Sequence, residues 1–288
     1  MNNSHDKMMK ELHRLLESQN FESEEELRNF MNGIMNKKLP STPNSELSNR
    51  HKAQDLVFEA YEVSPKKGKA KIAQALKLDP DCIEAYEYLG SIETNLTLKM
   101  QFFEKGISIG RRIFGGEFMK EHKGYFWGFT ETRPFMRCMD AYSHCVYLKG
   151  EVSKCIAVLE EMIELNPNDN QGVRDQLLTY LIEVGDKSKF IRYDNKYKDD
   201  ECAFGLYNRA LFTYMTEGDS EKSQKLLSKA IKQNGHVPGL LLADRPVKMF
   251  GDSFIYGDKS EAEYYVYYAY SVWRKIDGAI DWLIKQCS

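Results

Sequence analysis

Apolar residues recur at helical spacing along most of the chain, and the clearest phrase is GEVSKCIAVLEEMIELNP, residues 150–167. Its Gly150, Cys155, Leu159, Met162 and Pro167 read as a turn glycine, a packed helical stripe and a terminating proline. Sixty-eight residues downstream, GDSEKSQKLLSKAIKQNG repeats the phrase with Gly218, Ser223, Leu227, Ala230 and Gly235. The helix before it carries Tyr207, Ala210, Leu211 and Tyr214 at packing positions. Upstream, KIAQALKLDPD sets Ile72, Ala75 and Pro80 in the same slots, and CIEAYEYLGSIE opens another pair with Tyr86, Leu89 and Gly90. Small residues there let paired helices approach closely, and proline ends the second helix because it cannot continue the hydrogen-bond ladder. A segment from Asn170 holds the phase but is degenerate, with Lys189 and Lys196 where small or apolar residues belong.

The interval is two periods of 34 residues, the length of the tetratricopeptide repeat. It predicts an all-α, right-handed α-solenoid of tetratricopeptide-like helix pairs over residues 51–250. Pro80 and Pro167 lie 87 residues apart, 19 more than two periods, and the surplus maps to residues 110–135. Their glycine-aromatic composition breaks the helical pattern, so an ordered insertion is expected, either a recognition element or an aromatic plug between repeats. Residues 1–36 read as a small N-terminal helical pair, with Met9, Leu12, Leu15 and Leu16 on one face and a Ser23–Glu26 capping box opening the second helix. A polar linker is expected over 37–50, and two aromatic-rich helices over 251–288 to cap the array.

The phrases FWGFTETRPFMRC, LNPNDNQGVR, HVPGLLL and GDKSEAEYYVYYAYSVWRK go beyond a generic repeat. In these the chain resembles bacterial tetratricopeptide proteins related to the suppressor of tumorigenicity 7 family, over roughly residues 50–285. The resemblance implies a helical-repeat protein with no established catalytic activity. Eukaryotic members look membrane-anchored, and their location does not carry over because no stretch here has the 18 or more apolar residues of a membrane span.

Charge narrows the function classes. The 40 Lys+Arg against 43 Asp+Glu leave a net charge of −3, which argues against general attraction to nucleic acid or anionic membranes. Residues 1–40 hold six basic and seven acidic side chains, so the N-terminal pair lacks the basic surplus of a groove-reading head. With no apolar signal core, a cytoplasmic protein is expected. The six cysteines (Cys82, Cys138, Cys145, Cys155, Cys202, Cys287) include no CxxC pair and read as packed thiols.

Candidate binding residues come from the first helix of each pair, whose exposed positions line the face that repeat arrays use for ligands. They are Arg137, Asp140, His144 and Tyr147, then Arg174, then Asn208 and Phe212. Polar groups among aromatics suit an extended or helical peptide. In the insertion, Arg112, Trp127, Glu131 and Arg133 form a candidate recognition lip. Glu117, Glu121 and His122 offer metal-ligand or acid-base chemistry but match no ligand spacing, and no nucleophile or phosphate-loop motif occurs. The expectation is therefore a non-enzymatic scaffold or adaptor for a protein or peptide, without cofactor or metal and with a homo-oligomer compatible. A peptide-responsive regulator of a phage or conjugation circuit stands second, and a metal-dependent effector built on residues 110–135 third.

Overall fold

The structure, a computed structural model, describes residues 3–17, 19, 21–34, 47–248 and 253–287. Most of the expected linker, residues 37–46, lies outside the described residues. The described residues are helical, with no strand among them, and the chain divides into two compact units, residues 1–145 and 146–288.

Unit 1 runs α1 (Asn3–Glu17), α2 (Glu24–Ile34), α3 (Asn49–Tyr61), α4 (Pro65–Leu78), α5 (Ile83–Ile92), α6 (Leu96–Ile113), α7 (Glu117–His122) and α8 (Arg133–Leu148), the last continuing three residues past the boundary. The helix starts are local. Ser48 and Asn95 cap α3 and α6 by accepting backbone N–H bonds, and Pro65 opens α4 with its φ already set for a helix. Ser23 caps α2 through the Glu26 N–H at 3.2 Å, while the Glu26 carboxylate accepts from the Glu22 N–H instead of closing the expected reciprocal box. Pairs α3–α4 and α5–α6 form hairpins, and α5 also packs on α3 and α4. Their shared core holds Ala53, Val57, Ala60, Ile72, Ala75 and Tyr88, so small residues sit where the helices cross.

Unit 2 continues with α9 (Val152–Leu165), α10 (Val173–Glu183), α11 (Lys187–Lys196), α12 (Ala203–Glu217), α13 (Glu221–Gln233), α14 (His236–Leu241), α15 (Lys259–Lys275) and α16 (Ala279–Cys287). The repeated phrase explains its own turns. Gly150 and Gly218 begin the two copies at φ +80 and +67, a backbone region that a side chain disfavours. Cys155, Leu159 and Met162 are buried in α9, as are Ser223, Leu227 and Ala230 at matching places in α13. Pro167 and Pro80 each stand two residues past a helix end. The degenerate α11 is short and buries only Phe190 and Tyr193 along its length, which leaves Lys189 free to reach Glu160 of α9 at 2.8 Å.

One arrangement in unit 2 departs from a simple stack. Helix α15 packs on α10 and α12 together, so Asp175 through Ile182 of α10 are all buried. Tyr265, Val266, Ala269, Val272 and Trp273 of α15 are themselves fully buried in that contact.

The close approach in unit 1 is testable at Gly90. A Cβ there would fall 2.5 Å from the ring of Phe103, a side chain buried to 3% exposure. Alanine would add about 1 kcal/mol of helix propensity, against about 1–3 kcal/mol for overpacking. Gly90→Ala should therefore lower the denaturation midpoint, and an unchanged or raised midpoint would show that the α5–α6 contact is looser than described.

Candidate partner-binding site

In unit 1, α5 places Glu84 and Glu87 three residues apart, and both carboxylates turn into the fold. Glu87 is 3% exposed. Arg137 of α8 meets it with a two-pronged bond, Nε to Oε1 at 2.7 Å and Nη2 to Oε2 at 2.9 Å. Glu84 is bonded to the Lys10 ammonium of α1 and accepts from Gln54 Nε2 of α3 at 3.0 Å. Burial works to raise the pKa of both acids. At Glu84 the Lys10 cation overcomes it and holds the carboxyl at about 2, whereas at Glu87 burial prevails over Arg137. Removing one partner of a buried pair costs about 3–5 kcal/mol, because the other charge is stranded.

Helix α1 lies on the side chains of α3 and α5 by one basic stripe. Lys7 pairs with Glu62 at 3.7 Å, and Lys10 sits over the Phe58 ring at 5.4 Å. Arg14 bonds Asp55 at 2.7 Å and the His51 carbonyl at 3.2 Å. Lys10, Arg14 and Leu15 are each only 8% exposed. Helix α2 buries no residue.

A cleft of about 220 Å³ opens beside this contact, lined in part by Arg50, Gln54, Glu84, Ile113 and Glu131. Two insertion residues named from sequence meet here, since Glu131 lines the cleft and Arg112 pairs with Asp81, another of its walls. Ile113, at 42% exposure, gives the rim an apolar anchor. The rest of the insertion folds into an aromatic cluster. Phe126 and Phe135 are fully buried, and Phe118 contacts both Phe126 at 5.9 Å and His122 at 4.4 Å between ring centres. Trp127 and Arg133 bind each other, the guanidinium 5.6 Å from the indole and its Nε donating to the Trp127 carbonyl at 3.1 Å. Glu117 and Glu121 point to solvent. Asp140 and His144 of α8 are half-buried, and burial together with Lys99 lowers the His144 pKa.

The candidates in unit 2 are drawn into the fold. Asn208 is 1% exposed, its amide nitrogen donating to Thr179 Oγ1 at 2.9 Å and its oxygen accepting from Tyr265 at 3.3 Å, while Trp273 Nε1 donates to that tyrosine at 2.7 Å. Tyr147 stacks on Tyr180 at 4.0 Å and bonds Glu183 at 2.9 Å. Phe212 stacks on Phe190 at 4.0 Å. Arg174 bonds Asp200 at 2.8 Å and Asp169 at 3.0 Å, with Asp175 at 3.8 Å. Asp175, Asp200 and Cys202 bring ligand atoms within 4.8 Å of one another, but the Arg174 guanidinium already supplies the positive charge that these carboxylates require.

Sequence reading found Arg137, Arg112 and Glu131 but not the groups they surround. Glu84 and Glu87 stand in CIEAYEYLGSIE, where a charge at i and i+3 of an otherwise apolar helix was a usable sign of a paired site. Lys10 and Arg14 carried the matching sign on α1, one turn apart.

Fold and site together define a tetratricopeptide-like helical-repeat protein whose first-helix face in unit 1 is occupied by its own N-terminal helix. No family model matches the chain. It is similar to the Suppressor of tumorigenicity 7 protein-like of cattle, rat and mouse, 21% identical to each over 238 residues, 75% of this chain and 42% of the relative. The chain thus spans less than half the length of these relatives. The crystal structure of YrrB, described as a TPR protein with an unusual peptide-binding site, aligns at TM-score 0.46 with 20% identity, covering 70% of this chain and 91% of that one.

Burial raises the Asp175 pKa from 3.8 to about 8, with Arg174 opposing and Asp200 and Asp169 adding to the rise. The folded chain keeps this proton where the unfolded chain has lost it, so stability falls as pH rises from about 4 to about 8. Asp175→Asn should flatten that slope and raise the melting temperature at pH 8 more than at pH 5. An equal change at both pH values would contradict the protonated state.

Proposed function

We propose that the protein is a non-enzymatic scaffold or adaptor that binds a protein or peptide through the first-helix face of unit 1, at the cleft and the carboxylates of α5. The observation that carries this reading is the charge arrangement. Glu84, Glu87 and Asp55 face cations supplied by other segments, an arrangement suited to recognising a charged polypeptide surface by hydrogen-bonded ion pairs. Ile113 adds the apolar contact that such recognition needs. Arg137, Asp140, His144, Arg112 and Glu131 frame this face, and Trp127 with Arg133 braces the insertion behind it. Tyr147, Arg174, Asn208 and Phe212 serve the packing of unit 2.

The scaffold reading also draws support from the thiols. Burial pushes the Cys82, Cys138 and Cys202 pKa values up, the opposite of what a nucleophilic cysteine requires. Among the described residues, no helix is long and apolar enough to cross a membrane.

A photoreactive amino acid in place of Ile113 tests the site. It should capture a defined polypeptide in cells of the source organism, and the same group in place of Gln74, exposed on α4, should not. Equal capture at both positions, or none at Ile113, would remove the proposed face.

A further inference from the structure

The two units each have a helix set on their first-helix face, and the two helices differ in how they are held. In unit 2, α15 contributes a dry aromatic contact, with Tyr265 and Trp273 buried completely. It is part of the core. In unit 1, α1 contributes Lys7, Lys10 and Arg14, three cations at i, i+3 and i+7 on one stripe, and Leu15 as its buried apolar side chain among the described residues. Helix α2 buries no residue, and its first turn carries Glu24, Glu25 and Glu26. Beside the α1 cations, Met9, Leu12 and Leu16 are only half-buried, so the cation–carboxylate pairs are the specific hold on α1, and any segment that supplies the same cations can satisfy them.

The carboxylates beneath α1 belong to the repeats, Asp55 on α3 and Glu84 and Glu87 on α5, and Glu87 is held by Arg137 independently of α1. Glu84 keeps Gln54 as a partner but loses its only cation among the bonds described when Lys10 leaves, and Asp55 loses Arg14. Glu84, 13% exposed and otherwise acted on only at longer range by Arg137, is disfavoured without its bonded cation, while Asp55, 36% exposed, is disfavoured less. An occupant that replaces α1 is therefore favoured if it puts positive charge at Glu84 first and at Asp55 second. Lys10 and Arg14 are four residues apart, one turn of a helix, and Leu15 follows on the same side. These three positions define the chemistry of the exchange.

We propose that the first-helix face of unit 1 binds a basic amphipathic helix of a partner protein, one bearing two cations a single turn apart beside a leucine-like residue, and that α1 is the intramolecular occupant it displaces. This inference rests on the partner-binding reading above and specifies the partner and its competitor. Binding by the intact chain is weakened by the fraction of molecules in which α1 holds the face, and is restored when α1 is released.

The test uses the full chain and a labelled peptide with the sequence of residues 3–17. Lys10→Glu with Arg14→Glu releases α1 without altering any residue of the face. That variant should bind the peptide on the order of 10-fold more tightly than the unaltered chain. Adding Glu84→Gln should return the affinity to the level of the unaltered chain or below, and a peptide of the same composition with its cations out of phase should not compete. Equal affinity in the unaltered and released chains, or binding indifferent to Glu84→Gln, overturns the proposal. Should the double variant fail to fold, the unaltered chain still decides the matter. Excess peptide should then speed amide hydrogen exchange across residues 3–17, and unchanged exchange overturns it. Capture of a polypeptide at Ile113 with no effect of the peptide would sink this inference and leave the binding face standing; failure of both would remove both.

Discussion

Two carboxylates on one short helix set the terms for unit 1. Glu84 and Glu87 of α5 are carried inward by the same face that packs Tyr88 and Ala85 into the core, so the helix cannot dock without taking them along. Each must then meet a cation, because a buried charge without one is costly by several kcal/mol. The chain answers with groups from opposite directions in sequence, Arg137 from fifty residues downstream and Lys10 from the N-terminal helix. That requirement ties both α1 and α8 to α5. It also explains why a segment with modest apolar content is ordered against the repeats.

Unit 2 meets a similar geometric demand with different chemistry. Its first helices α10 and α12 are covered by α15, an aromatic helix whose hydrogen bonds run inward through Trp273, Tyr265, Asn208 and Thr179. A closed polar chain of this kind satisfies every member and specifies one packing. Close to α10, Arg174 pairs with Asp169 and Asp200, while Asp175 beside them is kept protonated by burial. The two units thus cover their first helices in two ways: one by aromatic packing, the other by ion pairs from α1.

Much of the fold was legible because its signals are local. The glycine, the small-residue stripe and the proline of residues 150–167 each have one structural job, and the second copy at 218–235 does it again. Glycines at positive φ and prolines past helix ends depend on a few neighbouring residues. The choice of site was less legible because exposure at a helical position depends on which distant helix covers it. Asn208 and Phe212 occupy positions that would face outward in an uncovered array, but α15, about fifty residues later, covers Asn208, and Phe190 of α11 stacks on Phe212. For the same reason Lys10 and Glu84, separated by 74 residues, each stood out on its own helix, but only the fold pairs them. Within the insertion, phenylalanines fill the interior, Glu131 lines the cleft and Arg112 pairs with Asp81 on its wall.

A charge exchange across Lys10 and Glu84, read by amide hydrogen exchange in residues 3–17, tests the central claim most directly. Lys10→Glu and Glu84→Lys should each deprotect α1, and the two together should restore most of the protection, since the reversed pair can form again. Losses that simply add in the double variant would mean that α1 is not held by this pair and that the face of unit 1 is not set by the carboxylates of α5.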